Sequence, residues 1–264
     1  MTVALGILAS DGIAIAADTQ ETEGYFKSFA LKIQDAMTQT DIFSTVHSAV
    51  AVTGSGPAVH LDAVAAEIIK GFHQHQDTEL NAFEANLVQC VSDFYRTHVA
   101  SLPSHLDRDF QLVIGAQIEG KHRLWVTETT VVKTSIGFEA VGSGHPFARI
   151  AVQNRGGGTI SVETAALLAI RGVMEATEHD QYCGKSTMVT CLKKNLAYSI
   201  PWYHIKKAEE LFGRYAGIEH SAFLYALGRE AGDDAKRPRK VSKWLRDLRQ
   251  QFTRLSSQLL EDQP

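Results

Sequence analysis

The sequence predicts an α+β fold in which helices gather on the faces of β-sheets, and three observations carry that prediction. The chain opens on two short apolar runs joined by a turn. Its hydrophobic period then shifts from strand to helix and back twice, and the stretch from about residue 201 is helical in pattern throughout.

Residues 2–9 and 12–18 read as strands, with Ser10, Asp11 and Gly12 as the polar turn of a hairpin. Ile13 to Ala17 is almost continuously apolar, which predicts a strand covered on both faces. After a polar loop, the run around Lys32 and the segment 43–54 predict further strands. Leu61, Ala65, Ile68 and Phe72 then share one helical face, as do Leu80, Phe83, Leu87, Val91 and Phe94, with Asp77 or Thr78 as the cap of the second helix. Segments 110–118, 123–128, 130–135 and 138–144 return to strand patterning. Helices are predicted near 147–152 and 163–174, and a strand at 186–192. Grouped strands and grouped helices exclude strict βαβ alternation, while the order of layers stays open.

With 264 residues and 44% hydrophobic content, the chain can build a sizeable core. It divides into a domain over 1–200 and a helical extension over 201–264, with Gly232 to Lys240 read as a linker. In the tail, Val241, Trp244, Leu245, Leu248, Phe252, Leu255 and Leu259 form an apolar stripe flanked by Lys240, Lys243, Arg246, Arg249 and Arg254. From Ala235 onward there are eight Lys and Arg against three acids, while the whole chain carries −4, so everything before the tail is strongly acidic. This basic amphipathic helix reads as a helix docked on the domain or on a neighbouring subunit, or as a docking element for an ATPase or another acidic protein. Membrane and nucleic-acid binding are disfavoured by the acidity of the rest. No apolar run approaches the roughly 18 to 20 residues of a membrane span, and the first residues lack a secretory pattern, so a cytoplasmic protein is expected. Cys90, Cys183 and Cys191 are odd in number and lack CxxC spacing, which predicts reduced thiols rather than disulfides or zinc.

Several motifs fail on inspection. "GSGPAV" and "GSGHPF" carry Val59 and Phe147 where a dinucleotide fingerprint needs its third glycine. "GKST" at Gly184 to Thr187 lacks the earlier glycine of a phosphate loop, with His179 in its place, and precedes a strand. His73 and His75 are two apart, which on a helix points them in different directions. No cofactor and no metal are expected.

Thr2 is of interest because a hydroxyl needs a base to become a nucleophile, and an N-terminal Thr can use its own α-amino group. That amine, with a reference pKa of about 7.7 to 8.0, is substantially neutral near physiological pH. Removal of Met1 would expose it. Thr is also a good strand former and many chains begin Met-Thr, so taken alone the residue reads first as the plain opening of a core strand. Asp18 ends a buried strand, where a carboxylate is costly unless paired, and Lys32 in the next apolar run could pair with it. That pair is either structural or part of a site, and the hairpin permits Asp18 to return to Thr2 without fixing the register.

The segment "TVALGILASDGIAIAADTQETEG" followed by Lys32 resembles the opening of proteasome β-type subunits and of their bacterial HslV-type relatives, which are threonine peptidases. Thr2, Asp18, Gln20, Thr22, Gly24 and Lys32 fall on the motif, with Lys32 one or two residues early and Lys27 as its alternative. The likeness extends over most of the first 200 residues. "VTGSGPA" is similar to the strand end that supplies the oxyanion donor, which implies Gly54, with Ser55 where a second glycine is usual. "AVGSGHPFA" resembles the matching stretch of the HslV type, which implies Ser143 near the nucleophile, and "HDQYCGK" resembles the proteasome segment that implies Asp180 in the proton network, with Cys183 and Lys185 replacing a serine and a glycine. The resemblance implies a four-layer αββα sandwich of the N-terminal-nucleophile hydrolase type, assembled as a homo-oligomeric ring around a chamber. It further implies a threonine endopeptidase with Thr2, Asp18, Lys32, Gly54, Ser143, Asp180 and Cys183 as catalytic residues, acting on peptides or unfolded proteins. Thr22, Val52, Ser55 and Gly56 would bind substrate. The alternative is a non-catalytic ring or scaffold subunit that keeps the fold alone.

Overall fold

A computed structural model of the chain describes residues 2–23, 26–39, 46–74, 79–103, 109–153, 160–227 and 237–261. It divides into two compact units, Met1–Ile200 and Pro201–Pro264.

The strands of the first unit are β1 (Ala4–Leu8), β2 (Gly12–Asp18), β3 (Gln20–Glu23), β4 (Phe26–Phe29), β5 (Gln34–Gln39), β6 (Val46–Ser55), β7 (Gln111–Ile118), β8 (Lys121–Glu128), β9 (Val131–Ser135), β10 (Phe138–Val141), β11 (Thr187–Lys193) and β12 (Leu196–Ser199). Its helices are α1 (Ala58–Gln74), α2 (Leu80–Phe94), α3 (His145–Gln153) and α4 (Val162–His179). One five-stranded sheet has the order β10-β1-β2-β11-β12, a second has β5-β6-β7-β8-β9, and β3 with β4 makes a separate ribbon.

The opening hairpin forms as the Asp11–Gly12 turn predicts: Ala4 lies opposite Ala17, and Ala9 N donates to Gly12 O at 2.9 Å. Every residue of β2 is buried, because both of its faces are covered. Ile13, Ile15 and Ala17, with Ala4 of β1, pack against Ala49, Ala51, Val113 and Leu124 of the facing sheet. The opposite side of this sheet carries α3 and α4. On α4 the buried positions include Ala165, Ala166, Ala169, Gly172 and Ala176, whose small side chains let the helix approach the strands closely. The second sheet turns its other face to α1 and α2, where Val50, Val52, Ile114 and Trp125 meet Ile68, Phe72, Phe83, Leu87 and Val91. Both helices bury the stripes their 3.6-residue period predicts. Phe72, Phe83 and Trp125 form a chain of tilted and edge-on ring contacts at 6.0 and 5.8 Å, a favourable aromatic arrangement.

Four expectations need correction. Lys32 lies between β4 and β5 and outside both, where its main-chain carbonyl accepts from the Thr53 hydroxyl. The polar stretch after β2 is not a loop but the β3–β4 ribbon, with Gln20 opposite Phe29. Helix α2 starts from Glu79 without a side-chain cap, and Asp77 and Thr78 lie outside the described residues. In the second unit, α5 is Trp202–Ala226 and α6 is Arg237–Glu261, so Arg237 to Lys240 are helical rather than linker. Pro238 is tolerated there because first-turn N–H groups have no intrahelical acceptor to lose. The remainder of the expected linker, 232–236, lies outside the described residues.

Helices α5 and α6 pack on each other, with Phe212 and Phe252 rings 4.9 Å apart and Arg214 donating to Gln251 at 2.6 Å. The tail stripe is only partly used: Leu248, Leu255 and Leu259 are buried, whereas Trp244 and Leu245 are 41% and 42% exposed. Among the described residues, no helix is long and apolar enough to cross a membrane.

Truncating Phe83 should remove the centre of the aromatic chain. Phe83→Ala is expected to lower unfolding free energy by about 3–5 kcal/mol, read as a fall in the urea midpoint.

Candidate active site

The site forms where β1 and β2 end. Backbone pairing of the hairpin continues past β1, with Asp18 N donating to Val3 O at 3.2 Å, which sets Thr2 beside the last residue of β2. Thr2 is 4% exposed, and its Oγ1 donates to Asp18 Oδ1 while accepting from Lys32 Nζ at 2.5 Å. Lys32 Nζ also donates to Asp18 Oδ1 at 2.9 Å and to the carbonyl of Gln20. Hydroxyl, carboxylate and ammonium therefore touch one another.

Asp18 is 0% exposed, and a buried carboxylate is tolerated only when hydrogen-bonded donors replace water. Besides Thr2 and Lys32, it accepts from Val3 N at 3.0 Å, Gln20 N at 3.1 Å and Gly184 N at 3.1 Å. Gln20 N is two residues away and comes with the turn from β2 into β3. Gly184 N arrives from the loop before β11, whose Thr187 pairs with Asp18. The Lys32 side chain is 14% exposed, against 0% for Asp18.

The alternative lysine is placed elsewhere. Lys27 pairs with Thr22 across the β3–β4 ribbon and sends its exposed ammonium to Gln181 O at 2.9 Å. Lys185, at a φ of 66°, reaches Lys27 O at 3.2 Å. Thr22 lies in β3, and Gly24 is outside the described residues.

Asp180, Ser143 and Cys183 form a second cluster. Asp180 ends α4 and accepts from Tyr182 N at 2.9 Å, from Cys183 Sγ at 3.4 Å and from the Ser143 hydroxyl. Burial works to raise the Asp180 pKa, but these donors outweigh it and hold the carboxyl below its ordinary value. Burial, then the Asp18 and Asp180 carboxylates, push the Cys183 thiol far up, so it is a neutral donor. This cluster reaches the first through Gly144. Gly144 N donates to Thr2 O at 3.3 Å, and a Cβ there would meet Cys183 Sγ at 2.7 Å. Gly142 adopts a φ of +90°, and a side chain on it would collide with the Thr2 carbonyl oxygen and approach Ser55 Oγ to 2.9 Å.

Gly54 lies near the end of β6, opposite Leu112, so close to β7 and α1 that a Cβ would strike Gln111 O and Leu61. Ser55 is half-buried beside Gly142, and Gly56 rests against Phe110. Val52 is 1% exposed within the core between β6 and the helices, where its neighbours are protein side chains. Gln20 O, Gly184 N and Gly144 N could not be read as members of the site from residue types, since backbone groups carry no residue signature. One cluster of three potential metal donors occurs among the described residues, Glu175, Glu178 and His179, and Glu175 there already pairs with Arg171.

The chain is similar to proteasome beta subunits. Proteasome subunit beta 1 of Pyrobaculum calidifontis is 25% identical over 199 residues, which span 74% of this chain and 92% of the relative. Proteasome subunit beta 2 of Sulfolobus acidocaldarius is 22% identical over 194 residues, spanning 74% and 89%. These curated homologues support the proteasome β-type resemblance of the opening segment. Among solved structures, Anbu from Yersinia bercovieri, described as an ancestral beta-subunit, superposes with a TM-score of 0.66 at 13% identity, covering 88% of this chain and 98% of that one. A Gly-1 mutant of Anbu from Hyphomicrobium sp. strain MC1 also gives 0.66, at 14% identity with 89% and 100% covered. These two share the fold. No protein-family model matches the chain.

Because the Asp180 pKa is lowered on folding, its contribution to stability is complete above the unfolded value and is lost as pH falls through the folded one. Asp180→Asn should therefore lose less stability than the unmodified protein on acidification from about pH 5 to about pH 3, measured by urea titration at each pH. Cys183 in the folded protein should resist iodoacetamide at about pH 8 and react after unfolding, as mass spectrometry of the labelled peptide would show.

Proposed function

We propose that this chain is a threonine-type endopeptidase of the N-terminal-nucleophile hydrolase class, with Thr2 as nucleophile once removal of Met1 frees its amine. The observation that carries the reading is the contact of Thr2 Oγ1 with both Asp18 and Lys32 in a buried setting. The helix, sheet, sheet, helix packing of the first unit and the likeness to proteasome beta subunits support it.

In this scheme Thr2 Oγ attacks a peptide carbonyl, and its proton passes to the Thr2 amine directly or through a water. The Lys32 ammonium stabilises the developing alkoxide, and Asp18 keeps Lys32 charged and aimed. Gly54 N–H donates to the oxyanion, a contribution of about 3 kcal/mol for one such donor. Collapse of the tetrahedral intermediate, with the proton passing from the Thr2 ammonium to the leaving nitrogen, expels the amine product, and water hydrolyses the resulting acyl-enzyme. Ser143, Asp180 and Cys183 order the segment against the Thr2 carbonyl, with the thiol donating where a serine hydroxyl would. Thr22, Ser55 and Gly56 would support a substrate backbone by strand-like pairing, with Val52 favouring an uncharged side chain there. The substrate is a peptide or unfolded protein, and the working form is a homo-oligomeric ring in the cytoplasm. The division at residue 200 separates this hydrolase domain from a helical extension. There the half-exposed stripe and the cations of α6 would serve docking to a neighbouring subunit or to an acidic protein such as an ATPase.

The test is the intact mass of purified protein before and after a peptide epoxyketone, whose ring adduct requires a free Thr amine and its hydroxyl. Loss of Met1 with one adduct per chain, absent in Thr2→Ala, is expected. A Thr2→Ala protein that hydrolyses peptides at the normal rate would sink the scheme and leave the scaffold reading.

A further inference from the structure

We infer that Thr53 is a positioning residue for Lys32, an assignment that rests on the Thr2 nucleophile proposed above. Lys32 sits in a stretch, residues 30–33, that lies outside every strand, so no sheet ladder fixes its backbone. Its ammonium nevertheless has to meet three acceptors at once: Thr2 Oγ1, Asp18 Oδ1 and Gln20 O. A lysine side chain has four rotatable bonds and holds such a geometry only if its root is fixed. On one side, Ala30 N donates to Thr19 O at 3.0 Å. At Lys32 itself, the Thr53 hydroxyl donates to the main-chain carbonyl at 2.8 Å.

Thr53 is suited to this by strand alternation. Val50 and Val52 of β6 face the helices, while Ala49 and Ala51 face the other sheet. Thr53 falls on the second face, 3% exposed, and its hydroxyl meets the carbonyl of Lys32, whose ammonium in turn meets Thr2 and Asp18. Its neighbour in sequence is Gly54, the proposed oxyanion donor. The same strand end therefore sets the root of the ammonium and the position of that N–H, and a shift of β6 moves both together. Without the hydroxyl, Lys32 O loses a buried donor and the lysine root is freed to move, with the ammonium displaced from Thr2 Oγ1. Displacements of about 1 Å in catalytic groups cost up to about a hundredfold in rate.

The decisive comparison is Thr53→Ser with Thr53→Ala, which differ by one hydroxyl oxygen, with Thr53→Val as the variant that keeps the branched shape. Peptide hydrolysis and the rate of epoxyketone adduct formation are measured on the full chain, together with thermal midpoints. Thr53→Ser should stay within about threefold of the unmodified protein, while Thr53→Ala and Thr53→Val fall about tenfold in kcat and in adduct rate with KM within about twofold. Equal rates for Thr53→Ser and Thr53→Ala, or a loss confined to KM, would overturn the assignment while adduct formation by the unmodified protein kept the Thr2 reading. An unmodified, Met1-free protein that forms no adduct would remove both. Should Thr53→Val fail to fold, the Ser and Ala pair still decides, because both have already lost the methyl group.

Discussion

The Asp18 carboxylate is the constraint around which the first unit closes. Fully removed from water, it would be prohibitive to bury alone, and it is held by donors from separate parts of the chain. Thr2 and Val3 come from the first strand's approach, Gln20 from the turn into the ribbon, Lys32 from the link between β4 and β5, and Gly184 from the loop before β11. Satisfying one charge thus brings together segments as far apart as residues 2 and 184. Removing any one donor leaves the others sharing an under-coordinated buried anion, which is why such a group acts as a unit rather than as a sum of pairs.

The two sheets supply the frame for that closure. Register on β2 is fixed on both edges, by Ala4 opposite Ala17 on one side and Thr187 opposite Asp18 on the other. A one-residue slip of either neighbour would carry Ile13 and Ile15 or their partners to the wrong face, so the hydrophobic core between the sheets and the carboxylate network enforce the same alignment. Close approach then decides where side chains are excluded. At Gly142 and Gly144 the chain passes the Thr2 carbonyl and the Cys183 thiol too tightly for a Cβ. The Cys183 thiol is a donor to Asp180, because burial beside two carboxylates keeps it protonated.

The second unit obeys different rules. Its α6 helix binds α5 through Phe252 and Gln251, yet leaves Trp244 and Leu245 half-exposed amid exposed Lys243, Arg246 and Arg249. The residues before the tail carry a net negative charge and the tail a net positive one, so the two parts of the chain differ in sign as well as in packing.

Local physics made much of this legible. The Asp11–Gly12 turn, the unbroken apolar run of β2 and the helical stripes of α1 and α2 are patterns within short windows, and each element formed where its period placed it. The sixteen-residue interval from Thr2 to Asp18 is also local in effect, since a hairpin returns one end to the other. What the sequence by itself could not determine was which lysine meets them. Lys27 and Lys32 are chemically alike and five residues apart, and only the ribbon of β3 and β4 turns the first outward to Gln181 and leaves the second inside. Nor could it show Gly184 N, Gly144 N or the Thr53 hydroxyl at the site, because main-chain groups are identical at every position and a buried threonine in a strand reads as packing. Those contacts are set by long-range register and close approach, so they come into being only when the sheets, helices and loops have met.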